Sequence, residues 1–486
     1  MPRVAVGRVH GVAGIDAVVV GSGPNGLAAA VTLARAGLRV SVFEGAPTVG
    51  GGTRTEALTL DGYIHDVCSA VHPVLLASPF FQTLDLAALG VRVLQPEVAF
   101  AHPLDSGRAG ALYRGVGETA ALLGTDGPRY EETVGYLVER LDRIVPYVFG
   151  PLRSVPRHPT AVARFGFLGA PSVRHLSRRF RSEQAKGLLA GAAAHSMERL
   201  TAPLTGAFSL LFLMLAHGVG WPVVEGGSAR IGDALVSELT RLGGTVEVDH
   251  PVRSLAELPA ARAVLLDTSP RQFLALAGNQ LTRSQGRPWS RFALGPGVCK
   301  VDWALDGPVP WEADVCRRTA TVHVCGTMNE VACSEADVNA GRHSDRPFVL
   351  VAQPSVVDST RAPVGHQTLW AYCHVPNGSP VDMTDRIEDQ IERFAPGFRD
   401  RVLARVTRTA AQLEAENPNQ QGGDISGGAS SLRQTIFRPV PRWNTYRTPL
   451  EGTYLCSAST PPGGGVHGMC GYFAARTALR DRFGIR

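Results

Sequence analysis

Residues 15–46 read IDAVVVGSGPNGLAAAVTLARAGLRVSVFEGA, and this stretch decides the fold. IDAVVV is a short, unbroken apolar run rich in β-branched residues, the pattern of a parallel strand buried on both faces. Gly21, Gly23 and Gly26 follow at once in the spacing G-x-G-x-x-G. In such a loop the first glycine turns the chain tightly and the second lets backbone approach a pyrophosphate. The third lets the following helix pack closely on the strand. LAAAVTLARA then reads as a helix that stops at Gly37, a residue suited to a left-handed cap. RVSVFE reads as a second strand ending in Glu44, 18 residues beyond Gly26, where a carboxylate can accept hydrogen bonds from ribose hydroxyls. Strand, loop, helix, strand and acid in register define a dinucleotide site, and the helix N-terminus adds a favourable field for phosphate. The loop alone does not separate NAD from FAD.

The remaining composition is that of a globular chain. Its 486 residues accommodate about two to three domains. Hydrophobic residues make up 44% and charged residues 19%, within the usual range. The net charge of +5 is carried almost wholly by arginine, since Lys186 and Lys300 are the only lysines, and this reads as coding bias. A nucleic-acid partner would require a clustered basic stripe with aromatic platforms. The nearest approach is RHLSRRFR (174–181), which reads as a solvated helix face. Eight scattered cysteines without C-x-x-C spacing signal neither a metal site nor a redox disulfide, and they point to a reducing, cytoplasmic setting. The first 14 residues lack a signal-peptide pattern and read as a ragged start or a short targeting stub. AFSLLFLMLA (207–216) falls far short of the ~20 apolar residues needed to span a bilayer. It reads as a buried helix, with a peripheral membrane contact or the wall of an apolar tunnel as alternatives.

The residues after Glu44 bring in a family. PTVGGGTRT (47–55) resembles the glycine doublet found just after the ribose acid in FAD-binding amine oxidases and phytoene desaturases. Gly50 and Gly51 match the doublet, and Thr53 to Thr55 match the tail of the motif. Gly52 stands where the family commonly has an arginine, which puts one pyrophosphate contact in doubt. DGYIHDVCSAVHP resembles the segment leading on towards the flavin ring. GWPVVEGGSARIGDALVSEL (220–239) resembles the desaturase segment in which a proline and a glycine pair precede a helix. RLGGTVEVDHPVRSL resembles the return to the nucleotide domain, where the backbone of Val252 would meet the adenine. AVLLDTSP reads as another short buried strand with a turn, and VCKVDWAL and RPFVLVAQPSV read as strands of a separate sheet. Within the superfamily the resemblance runs nearest to the branch of the pyridine nucleotide-disulphide oxidoreductase domain-containing protein 2, which lies near carotenoid isomerases.

Two further glycine patterns need assignment. Gly115, Gly117 and Ala120 follow only the short ALY and precede a long helical pattern, so they do not read as a nicotinamide site. TPPGGGVHGMCGY (460–472) also carries G-x-G-x-x-G, at Gly463, Gly465 and Gly468. Only 18 residues follow Gly468, short of the ~30 that a βαβ unit takes, so no second nucleotide fold is expected. Gly468 and Gly471 are expected inside a helix, where each costs ~1 kcal/mol relative to alanine and therefore implies a close neighbour. The segment resembles the C-terminal flavin motif of the phytoene desaturases, which implies that Gly464, Gly465, Val466 and His467 meet the isoalloxazine. Many relatives carry Gly-Asp in the preceding strand, where this chain has Ser457 and Ala458.

The resemblance implies an α/β, glutathione reductase-type FAD-binding Rossmann-like domain (1–85, 220–290 and 430–486) interleaved with an α+β substrate domain (86–219 and 291–429). It implies FAD as cofactor, with hydride passing from a C–H bond of an apolar or amphiphilic small molecule to flavin N5 and an oxygen or quinone acceptor. A redox-neutral isomerase using reduced flavin, or a flavoprotein kept for partner binding, are the alternatives. Catalytic side chains are not fixed by the sequence. His65 beyond the glycine doublet, His467 at the C-terminal loop and Asp424 in QGGDISGG are the candidates, each weighed against a packed, solvated or turn role.

Overall fold

The computed structural model describes residues 14–151 and 154–486, so the reading of residues 1–14 lies outside it except at Gly14. Its first sheet is wholly parallel. The strands run in the order Thr453–Leu455, Ala263–Leu266, Ala17–Val20, Val40–Phe43, Thr245–Glu247. All eight residues of Ala17–Val20 and Val40–Phe43 are buried, which explains their unbroken apolar pattern. Between these two strands runs the helix Pro24–Arg35, opened by a proline in its first turn and ended by Gly37 at φ +83°. The sheet thus draws its strands from three distant parts of the chain.

The C-terminal helix, Met469–Ala478, lies directly on the helix Pro24–Arg35. A Cβ on Gly471 would fall 1.8 Å from the Asn25 carbonyl oxygen, so only glycine permits this approach. Gly468, expected inside the helix, instead precedes it in the left-handed conformation at φ +66°, against Phe80 and Ala28. The close neighbour that these two glycines implied is therefore the first helix and its surroundings.

The second sheet has seven strands in the order 402–408, 297–305, 367–375, 349–352, 321–324, 98–103, 109–113. All neighbours are antiparallel except 321–324 with 98–103. Alternation along these strands separates two faces. One face buries Val301, Trp303, Val322, Val351, Leu369 and Ala371 against Ile387, Ile391 and Phe394 of the helix Thr384–Phe394. The other, inner face carries charged and aromatic residues. The helices Glu183–Ala194 and Thr205–Gly218 pack beside it, with Gly187 and Gly191 making room for the rings of His102 and His323. Thr205–Gly218 contains the apolar run 207–216. It contributes Leu210, Leu213 and Met214 to one core and Leu215 to the other. Among the described residues no helix is long and apolar enough to cross a membrane. The strand Ala109–Tyr113 runs antiparallel to its neighbour and leads into the short helix Val116–Leu122, so Gly115 and Gly117 belong to no parallel βαβ unit.

Candidate functional site

Three glycine-bearing segments meet backbone to backbone at the carboxyl end of the parallel sheet. Gly21, at φ +97°, donates its N–H to Phe43 O (2.8 Å) and turns the chain out of the first strand. A Cβ on Gly26 would lie 2.1 Å from Gly21 O, so the third glycine is what lets the helix start this close to the turn. Gly50 and Gly51 are left-handed, at φ +107° and +54°, and lead into a single turn, Gly51–Thr53. The Thr53 hydroxyl closes that turn on Gly50 O at 2.8 Å. A Cβ on Gly51 would stand 3.1 Å from Gly23 Cα, and one on Gly232 would stand 3.2 Å from Gly50 Cα. Side chains at these positions would fill the cradle. Gly52 lies farther off, its nearest neighbour being Cys68.

Glu44 lies over the first loop. Its Oε2 accepts from the Ser22 N–H (2.7 Å) and Ser22 hydroxyl (2.6 Å), and its Oε1 accepts from the Ala46 N–H (2.8 Å). A carboxylate accepts about four hydrogen bonds, so capacity remains for a ribose. Val252 follows a segment docked beside this acid. Asp249 N–H donates to Ala46 O (3.0 Å), His250 N–H donates to Glu44 O (2.8 Å), and the His250 ring packs on Phe43 at 4.8 Å.

The C-terminal loop is braced by its own histidine. His467 Nδ1 accepts from Met469 N–H (3.0 Å), which leaves Nε2 to donate to Gly463 O (3.1 Å). Burial pulls this imidazole down to about 4, so it is neutral with both nitrogens engaged. Gly463 and Gly465 are left-handed, at φ +117° and +123°, and a Cβ on Gly464 would meet Ser426 O at 2.6 Å. Val466 is buried in the core shared with the first helix. Asp424 organises the facing loop. Its carboxylate accepts from the N–H groups of Gly295 (2.7 Å), Ser426 (2.8 Å) and Gly428 (2.9 Å), while burial holds it above the usual carboxylate range. His467 therefore has no ring nitrogen free for proton exchange, and Asp424 spends three of its acceptor sites on bracing the loop.

His65 stands elsewhere, at the junction with the second sheet. Its Nε2 pairs with the Thr59 hydroxyl (2.9 Å), and its Nδ1 is 3.6 Å from Asp302, too far for a hydrogen bond. Burial, reinforced by Lys300, pulls His65 down to about 3, so the ring is neutral and this contact is not an ion pair. The same junction holds a cluster that sequence reading missed. Lys300 Nζ donates to both oxygens of Asp302 (2.5 and 2.6 Å), and Arg408 donates to Asp302 at 3.3 Å. Lys300 also lies 5.0 Å over the Trp370 ring. Burial pulls the lysine below its usual range and pushes the aspartate above its own. Only the i, i+2 pair Lys300/Asp302 was visible in the sequence. Arg408 and His65 arrive from strands a hundred or more residues away.

Two more buried groups complete the surroundings. Asp267, in the turn of AVLLDTSP, accepts the Gly26 N–H at 2.9 Å, and burial pushes it up to about 7. The guanidinium of Arg438 lies against Gly463. It donates to Gly427 O at 2.9 Å, and its Nε has no partner among the described residues. A second ionic clamp, Arg361 with Asp66 (2.9 Å) and Asp358 (2.6 Å), ties the segment after the glycine doublet to the turn before the helix Ala229–Arg241. All eight cysteines are free thiols. No group of three potential metal ligands occurs among the described residues.

Comparison with known proteins agrees with this geometry. Residues 19–81 match a family model described as an NAD(P)-binding Rossmann-like domain. The mouse pyridine nucleotide-disulfide oxidoreductase domain-containing protein 2 is 28% identical, over 96% of this chain and 93% of its own length. The all-trans-zeta-carotene desaturase of Myxococcus xanthus is 26% identical, over 92% and 90% of the two chains. Among solved structures, a putrescine oxidase triple mutant superposes with a TM-score of 0.59 at 19% identity, covering 96% of this chain and 98% of that one. The chain is thus similar to a carotene desaturase in sequence and to a putrescine oxidase in fold.

Proposed function

We propose that this protein is an FAD-dependent oxidoreductase that takes hydride from a C–H bond of an apolar or amphiphilic small molecule. The observation that carries the reading is the convergence of Gly23, Gly51, Gly50 and Gly232, backbone on backbone, at the end of a parallel sheet. That cradle suits a pyrophosphate better than it suits any side chain. Glu44 would hold the ribose, the backbone near Val252 the adenine, and the loop from Gly464 to His467 the ring system. When bound, FAD would supply the hydride acceptor.

The chain's own residues then have definable work. His467 fixes the shape of the C-terminal loop through both ring nitrogens. The buried guanidinium of Arg438 beside Gly463 places a fixed positive charge near that loop. The inner face of the seven-stranded sheet provides the substrate wall, with Trp370 and Tyr372 stacked at 5.8 Å. Lys300, weakened as an acid-base cation by burial, can hold or release a proton at Nζ beside Trp370. The names of the relatives, a carotene desaturase and a putrescine oxidase, support oxidation of a C–H bond without selecting one substrate. The test is anaerobic mixing of the FAD-reconstituted protein with apolar alkenes, alcohols and amines. Loss of visible absorbance with one class supports the reading. A flavin that none of them reduces counts against an oxidase or desaturase.

A further inference from the structure

The inner face of the seven-stranded sheet changes character along its length. Cross-strand register sets Asp302 beside Trp370, Lys300 beside Tyr372 and Val298 beside His374. The charged end is therefore at Asp302 and Lys300, and His374 lies four residues from Trp370, roughly 13 Å along the strand. Between them the wall is aromatic. Tyr372 and Phe348 each place a ring 5.7 Å from His374.

His374 is 1% exposed, and its Nδ1 lies 2.8 Å from Glu335 Oε1, itself fully buried. Beside a carboxylate oxygen the Nδ1 is the donor, and the neutral ring then presents a lone pair at Nε2. That Nε2 has no partner among the described residues, nor has Glu335 Oε2. Leaving such a buried acceptor unpaired is costly, and the arrangement persists because Glu335 and two aromatic rings fix the imidazole. The adjacent His195 does not satisfy it. That ring is paired with His323 at 3.0 Å, and burial pulls His195 down to about 3, so both are neutral.

We propose that His374, oriented by Glu335, accepts a hydrogen bond from a hydroxyl on an otherwise apolar substrate, and so fixes which end of that molecule reaches Lys300 and Asp302. The assignment rests on the reading of this face as the substrate wall of an oxidoreductase. A carboxylate would meet a lone pair and Glu335, both repulsive. An ether or hydrocarbon would leave the acceptor unsatisfied.

The test is calorimetric titration of the FAD-reconstituted protein with decanol, decyl methyl ether and decylamine. The alcohol should bind at least about tenfold more tightly than the ether, the value of one buried hydrogen bond. His374→Phe keeps an aromatic ring against Phe348 and Tyr372 and should erase that preference. The double variant His374→Phe with Glu335→Gln, which leaves no unpaired buried carboxylate, should erase it too and guards against misfolding of the single one. Glu335→Gln alone retains an oxygen for the Nδ1 proton and should keep the preference, as a positioning role requires. Equal binding of alcohol and ether, tighter binding of the amine, or a preference that survives loss of His374 would overturn the proposal. Loss of the preference in Glu335→Gln would overturn the role of Glu335. A protein that holds flavin but does not discriminate defeats this inference alone, whereas one that discriminates without holding flavin defeats the cofactor reading alone.

Discussion

The two sheets present different materials on the sides that the proposed function turns towards its ligands. At the parallel sheet the groups that matter are backbone, namely the turns at Gly21 to Gly26 and Gly50 to Gly51 and the contact with Gly232. An added Cβ would enter filled space at each of these glycines, meeting backbone at Gly21, Gly26, Gly51 and Gly232 and the side chains of Asp267 at Gly23 and Thr53 at Gly50. At the seven-stranded sheet the groups are side chains, with Lys300, Asp302, Arg408, Trp370 and His374 set side by side by strand register. A backbone cradle recognises a phosphate in whatever molecule carries it. A side-chain wall distinguishes one substrate from another. On the proposed reading the first region holds the cofactor and the second sets specificity, and substitutions in each should fail in different ways.

The largest effect is expected at the cradle. Gly26→Ala puts a methyl group 2.1 Å from Gly21 O, in backbone that cannot yield without opening the turn. Denaturant titration should show a loss of about 3 kcal/mol or more, together with loss of flavin retention. Next comes the side-chain wall. Asp302→Ala leaves Lys300 and Arg408 buried without their common partner, at about 3–5 kcal/mol. The folded fraction of that variant should still bind FAD with unchanged affinity. If flavin is lost along with Asp302, the division between the regions is wrong.

Asp267 gives a pH test. Its folded-state value, pushed up to about 7 by burial, lies above the unfolded value of about 3.9. The stability it contributes is therefore fully present below about pH 4 and lost as pH rises through 7, with a slope approaching about 1.4 kcal/mol per pH unit. Asp267→Asn should flatten the stability profile in that window, and an unchanged profile would remove Asp267 from the account. The smallest effect belongs to Glu44→Ala, which should weaken FAD binding by about 10- to 100-fold while changing stability by only about 1 kcal/mol. An unaltered affinity would deny it the ribose.

Legibility in the sequence divides along the same line. The unit from Ala17 to Glu44 was readable because every signal in it is local, and the strands and helix formed where the pattern placed them. The glycines near the C-terminus announced a close approach, but sequence could not say that Gly471 faces Asn25, more than four hundred residues earlier. Asp267 was read only as part of a turn, since its partner Gly26 is 241 residues away. The seven-stranded sheet was read from the stretches VCKVDWAL and RPFVLVAQPSV. The strands 98–103, 109–113 and 402–408 joined it unseen. His374 and Glu335 meet only through tertiary packing, 39 residues apart, and no spacing rule links a strand histidine to a glutamate on a separate helix. His467 and Asp424 drew notice as titratable groups in glycine-rich loops. Their hydrogen bonds show them shaping those loops.

The central claim is one FAD held by a cradle of glycine backbone, and the most direct measurement is the visible absorption spectrum of the purified, FAD-reconstituted protein after removal of free cofactor. The account predicts a flavin spectrum at one flavin per chain, abolished in a folded Gly51→Val variant, whose side chain would press on Gly23. A folded wild-type protein that retains no flavin, or a Gly51→Val variant that retains it fully, would contradict the claim.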